Sequence, residues 1–141
     1  MNVFDVAKYI LTSIGGEISA MKLQKLCYYS QAWTLAWDNK ELFSEEFLRW
    51  DNGPVCRELF NIHQGLFMVK SDIIDEDLLS GDWSVERQEN IDKVLEDYGR
   101  YPGSDLSEMT HRELPWKVTP RNEIISKGLI KSYYSGLLAD G

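Results

Sequence analysis

Two cysteines and two histidines are all that this 141-residue chain carries, which removes most metal and disulfide chemistry at the outset. Cys27 and Cys56 sit singly inside apolar-patterned segments, so they read as reduced, small core side chains and not as a disulfide framework. Cys56 and His63 share one expected helix face, and Cys27 and His111 would complete four zinc ligands. Without a Cys-x-x-Cys pair, however, that spacing is unspecific and burial in the core is favoured. No Gly-x-Ser-x-Gly elbow, phosphate loop, dinucleotide fingerprint or His-Glu-x-x-His pattern is present, so the common hydrolase and transferase sites have no basis here. His111 has the best case for special chemistry, because Glu108 and Glu113 are near enough in sequence to tune it. The plainer reading is a helix-end histidine bonded to a carbonyl or carboxylate. No apolar run approaches the roughly 18 residues that span a bilayer. The opening MNVFDVAKYIL lacks a charged leader ahead of a plain apolar stretch. A cytoplasmic location is expected.

Positive charge is also in deficit, and unevenly so. The net charge is −8, and the stretch Asp72 to Asp97 holds ten acidic residues against Arg87 and Lys93, which accounts for all of it. Such a field repels phosphate backbones, so direct nucleic-acid binding is not expected, whereas a basic protein partner would be drawn to it. Asp75, Glu76 and Asp77 are the candidate contacts there, weighed against the plainer reading of a solvated face.

What is present is enough apolar material to fold: 43% hydrophobic and 12% aromatic residues, in a length that fits one domain over 1–141 and buries about two-thirds of its unfolded surface. The pattern predicts a mainly α fold, a compact domain of about six helices with a small β-hairpin or two short strands. Asn2 caps a first helix whose stripe is Val6, Ala7, Ile10, Leu11 and Ile14, ended by Gly15-Gly16. Ser19 caps a central helix from about Ala20 to Asp38-Asn39, with Leu23, Leu26, Cys27, Ser30, Trp33 and Trp37 facing inward. That segment is too apolar for a surface helix with one stripe.

Leu42 to Trp50 alternates like a strand. After Asn52-Gly53, Pro54 suits the first turn of a new helix with Val55, Leu59, Ile62 and Leu66 inward and Gly65 near its end. Phe67 to Ile74 is rich in branched and aromatic residues and is expected to pair with the Glu46 to Trp50 arm. Ser84, Ser104 and Ser126 open three further helices. They carry Ile91, Val94, Leu95 and Tyr98, closed by Gly99; Leu106 and Met109; and Leu129, Ile130, Tyr133, Tyr134 and Leu137. No internal repeat, low-complexity stretch or linker interrupts them.

Five separated motifs carry a resemblance: Val6 to Ile10; Met21-Lys22-Leu23-Gln24-Lys25-Leu26 with Tyr28-Tyr29 and Ala32-Trp33; Trp50-Asp51-Asn52-Gly53-Pro54-Val55 with Leu59-Phe60; Thr110-His111 to Pro115-Trp116; and Ile130 to Tyr134. In this order they resemble the Panacea domain, the family of SocA-like antitoxins and phage-associated GepA-like proteins. Arg49-Trp50 and Asp51-Asn52 depart modestly from the family's usual residues before Gly-Pro-Val. The resemblance implies a helical antitoxin of prophages and mobile elements that neutralises a toxin by direct binding, needs no cofactor and performs no catalysis. An alternative is an adaptor that delivers a toxin to a Clp-type protease, and a His111-dependent enzyme is a third reading. With the chain starting at the domain itself, specificity is expected on the domain surface.

Of the motif residues, Leu23, Leu26, Trp33, Trp50, Gly53, Pro54, Val55, Thr110, His111, Pro115, Trp116 and Tyr133 read as scaffold. Large apolar side chains such as the tryptophans would each stabilise the fold by roughly 1.5 to 3 kcal/mol. Lys22, Lys25, Tyr29 and Gln31 are expected to form a polar face on the central helix, where the first three would meet a partner.

Overall fold

The computed structural model describes residues 1–140. Among the described residues the chain forms α1 (Val3–Ile14), β1 (Ile18–Ser19), α2 (Ala20–Asp38), β2 (Phe47–Trp50), β3 (Gly53–Val55), α3 (Arg57–His63) and β4 (Met68–Val69). It continues through two 3-10 turns, Ser71–Ile73 and Glu76–Leu78, to α4 (Val85–Tyr98), α5 (Gly103–Arg112), α6 (Leu114–Val118), β5 (Ile124–Ile125) and α7 (Lys127–Asp140). The mainly helical class stands, with one helix, α6, beyond those expected. Among the described residues no helix is long and apolar enough to cross a membrane.

Local chemistry sets the helix starts. Asn2 accepts the Asp5 N–H while the Asp5 carboxylate accepts that of Asn2, a full capping box. Ser19, Ser84 and Ser126 each accept a main-chain N–H three residues on. Ser104 does not: α5 begins one residue earlier behind Pro102, because Gly103 is pressed against Ser19 and Lys22, where a Cβ would lie 2.7 Å from the Ser19 hydroxyl.

The central helix is α2, packed by α1, α4, α5, α7 and the β2–β3 hairpin. Leu23 to Ala32 is buried without interruption, so the inward stripe was too narrow an expectation. Trp33 and Trp37 are only partly buried, while Tyr28 and Tyr29 are fully so. Neighbours on several sides leave such a helix no solvent face at its middle.

The strands correct the sequence reading more strongly. Pro54 does not open a helix: Gly53, Pro54 and Val55 pair with Trp50, Arg49 and Leu48 in an antiparallel hairpin. The helix begins at Arg57. Proline is admissible here because β3 is the outer strand in the order β3-β2-β5. Leu66, expected inside, is 51% exposed. Only Met68–Val69 of the 67–74 stretch is extended, and it pairs with β1 rather than with the 46–50 arm. The free edge of β2 is taken instead by Ile124–Ile125. Leu42 and Phe43 are not strand; their main chain is held by the buried Gln31 amide, with bonds of 2.7 Å on each side.

Candidate functional site

Three of the motifs that carry the resemblance, those on α2, at 50–55 and at 110–116, converge on one element, the β2–β3 hairpin. From α2, the Gln24 amide grips the residue after the hairpin. Its Oε1 accepts the Cys56 N–H at 2.9 Å and its Nε2 donates to the Cys56 carbonyl at 3.1 Å. The same Nε2 lies 2.9 Å from His63 Nε2. Since the main chain of Cys56 fixes which end of the amide donates, His63 Nε2 must be the bare acceptor, and the ring is neutral with its proton on Nδ1. Burial, with the nearby Lys25, also pushes the His63 pKa down. Sequence pattern gave no reason to single out Gln24; a buried amide is invisible to a hydrophobic count.

Lys25 is 1% exposed. Its amine donates to the Pro54 carbonyl at 3.2 Å, and desolvation lowers its pKa to about 7. Gly53 makes room for the Lys25 stem: at φ +112° a Cβ there would lie 2.6 Å from Lys25 Cε and 2.8 Å from Thr110 Oγ1. Tyr29 is fully buried, stacked on Tyr98 with ring centroids 4.1 Å apart. Lys22 is partly buried and donates to the Gly99 carbonyl at 2.6 Å, closing the end of α4. The polar partner face expected of Lys22, Lys25, Tyr29 and Gln31 therefore does not exist. Lys25, Tyr29 and Gln31 are buried and Lys22 partly so; Lys22, Lys25 and Gln31 donate to main-chain carbonyls and Tyr29 to the Glu113 carboxylate.

The other side of the hairpin is held by α5 and α6. Ser107 donates to the Asn52 carbonyl, and Trp116 Nε1 donates to the Trp50 carbonyl at 2.8 Å. The Arg49 guanidinium lies 3.6 Å over the Trp116 ring, and the His111 ring lies tilted against it with centroids 4.1 Å apart. His111 Nε2 and Arg49 Nε are buried with no hydrogen-bond partner. Neither carboxylate expected to tune His111 is bonded to it: Glu108 pairs with Arg112, and Glu113 accepts from Tyr29 at 2.9 Å and Tyr134 at 2.7 Å. Burial raises the Glu113 pKa against those two bonds. Leu23, Leu26, Val55, Thr110 and Pro115 are buried. Trp33 is partly buried and bonds Tyr98, Trp50 packs edge-on to Phe60, and Tyr133 packs edge-on to Tyr134.

Cys27 and Cys56 are buried free thiols, and burial pushes the Cys56 thiol up to about 12. Burial raises the Cys27 thiol as well, and a raised thiol pKa disfavours the reactive thiolate. Among the described residues no three His, Cys, Asp or Glu side chains converge as metal ligands. Beside the clasp lies an open cavity of about 400 Å³ walled by Met21, Gln24, Lys25, Trp50, Phe60 and His63. All ten acidic residues from Asp72 to Asp97, Asp75, Glu76 and Asp77 included, are exposed.

No curated protein and no solved structure gives a significant match to the chain. A family model does, described as antitoxin SocA-like, Panacea domain, over residues 23–117, a span that begins at the first core leucine of α2 and ends just past Trp116. With most of α2, the hairpin, α5 and most of α6 inside that span, which covers more than half of the chain, the chain belongs to the SocA-like antitoxin family with a Panacea domain.

Proposed function

We propose that this protein is the antitoxin half of a toxin-antitoxin pair, acting in the cytoplasm by binding its cognate toxin directly and performing no chemistry itself. The observation that carries this reading is the family match over 23–117. The fate of the motif residues supports it: Gln24 and Lys25 are spent on the hairpin and Lys22 and Tyr29 on other contacts within the fold, and a scaffold built that way leaves recognition to the outer surface. The exposed acidic region around Asp75, Glu76 and Asp77 is the proposed contact, and it favours a basic toxin.

Co-expression with the protein encoded by the adjacent gene tests the reading. Growth rescue together with co-purification is the expected result, and loss of both overturns it. Repeating the assay in cells lacking Clp-type proteases separates blocking from delivery to a protease. Rescue that persists there supports neutralisation by binding alone, and rescue that vanishes while co-purification continues overturns it in favour of an adaptor.

A further inference from the structure

The acidic surface is not featureless. Between α1 and the 79–83 loop runs an open groove of about 350 Å³ whose walls include Tyr9, Leu79 and Trp83. The two aromatic rings meet at 5.1 Å, and Trp83 remains 38% exposed. Both are held in place by their polar ends. Trp83 Nε1 donates to Gln88 at 2.9 Å and the Tyr9 hydroxyl donates to Asp92 at 2.5 Å. Tyr9 is half-buried against the core and Trp83 tilts against it at the groove, so the pair is fixed in place, and preorganised aromatic side chains lose little freedom when a partner arrives.

Charge decides what the groove suits. Asp92 stands at the Tyr9 end and Asp82 on the opposite wall, exposed apart from a 3.6 Å contact with the chain's N-terminal ammonium. Glu89 and Glu96 continue the exposed row along α4 at helical spacing from Asp92. The cation in the wall, Lys8, is committed to the carbonyls of Ser71 and Ile74. The remaining acid, Asp5, is nearly buried and engaged by Asn2 and Ser80. The surface thus offers two aromatic side chains under a negative field with two exposed carboxylates, Asp92 holding the Tyr9 hydroxyl through one oxygen and Asp82 contacting the terminal ammonium through one oxygen, so that each keeps a second oxygen able to accept. A planar cation can use both features at once, which a compact ammonium does less well.

We propose that this groove receives an arginine side chain from a basic segment of a protein partner, its guanidinium stacking on Trp83 and Tyr9 while Asp82 and Asp92 accept its N–H donors. A phosphate-bearing ligand is disfavoured by the same field. That the partner is the toxin rests on the antitoxin reading; the chemistry of the groove does not.

Two measurements keep those apart. In the first, the intact protein is titrated with the peptide acetyl-(Arg-Gly)3-amide and followed by nuclear magnetic resonance. The Trp83 indole N–H and the Tyr9 ring signals should shift saturably. Trp83→Ala and the milder Asp92→Asn, which retains an acceptor for Tyr9, should each weaken binding at least about fivefold. The lysine analogue of the peptide should bind several-fold more weakly. Shifts spread over the acidic surface without Trp83, or variants that stay within about twofold of the parent while keeping its circular dichroism, overturn the proposal.

In the second, the folded variants enter the co-expression assay. If the parent rescues growth and both variants lose rescue, the toxin docks here. If all three rescue equally, the groove does not seat the toxin and the toxin assignment falls, while the antitoxin reading stands. If the parent itself neither rescues nor co-purifies, the antitoxin reading falls and the peptide titration alone decides the groove.

Discussion

Lys25 is the residue whose environment departs furthest from what its type suggests. A charged amine with one carbonyl acceptor, buried against Gly53 and Pro54, costs the folded state stability whenever it carries its proton. The folded pKa of about 7 lies below the ordinary value of 10.5. Between those values the unfolded chain therefore holds more protons, and stability must rise with pH across that window and fall away as pH drops to 7. Folding free energy should gain on the order of 2 to 3 kcal/mol between pH 7 and 9.5 from this group. Lys25→Met, which retains the stem's packing, should lack that gain. Urea unfolding of both proteins at the two pH values measures the difference, and parallel responses would show that the amine finds water in the folded state. The burial of Lys25 was not legible in the sequence, because a lysine between leucines on a helix is most simply read as pointing out. Its only advance sign was Gly53, a residue able to let another side chain come close.

At the scale of elements, position decides what a glycine does. Gly53, in β3, combines a left-handed backbone angle with two neighbours closer than any Cβ tolerates, so Gly53→Ala should destabilise by about 2 to 4 kcal/mol through strain and displacement of the clasp. Gly136, inside α7, has open space where a Cβ would stand, with no neighbour within 4 Å, and Gly136→Ala should stabilise by up to about 1 kcal/mol. Thermal unfolding of the pair should move in opposite directions, and a shared sign would refute the account of the hairpin. Helix starts were legible because a cap is a contact between residues three apart, as Asn2 with Asp5 and Ser19 with Lys22 show. The strands were not. Ile18–Ser19, Met68–Val69 and Ile124–Ile125 are two residues each, too short for alternation to register, and each is extended only because a distant edge needs a partner. The carboxylate of Glu113 was read as a neighbour of His111 when it belongs to tyrosines on two other helices. The family motifs were visible as residues, but not as three sides of one clasp.

For the whole molecule the uneven charge is the governing term. Ten exposed carboxylates face two basic side chains between residues 72 and 97, and the repulsion among them opposes compaction. Raising sodium chloride from about 20 to 500 mM shortens the Debye length from roughly 20 Å to about 4 Å. The melting temperature should therefore rise by a few degrees, and most of that rise should vanish when Asp75, Glu76 and Asp77 are changed together to their amides. Calorimetry at the two salt concentrations reads this directly; a flat response would mean that water already reduces the repulsion among these carboxylates to a negligible level at low salt. The same field that weakens the free protein would be neutralised by a basic partner, so binding and stabilisation are coupled.

The contact of α7 with α2 bears on how the protein is made. Tyr134 lies against Tyr28, Tyr29 and Trp33, so the aromatic flank of the earliest long helix stays uncovered until more than a hundred further residues have left the ribosome. At roughly 5 to 20 residues per second the nascent chain spends several seconds or more with that flank open to chaperones and proteases. The arrival of α7 is what ends this interval.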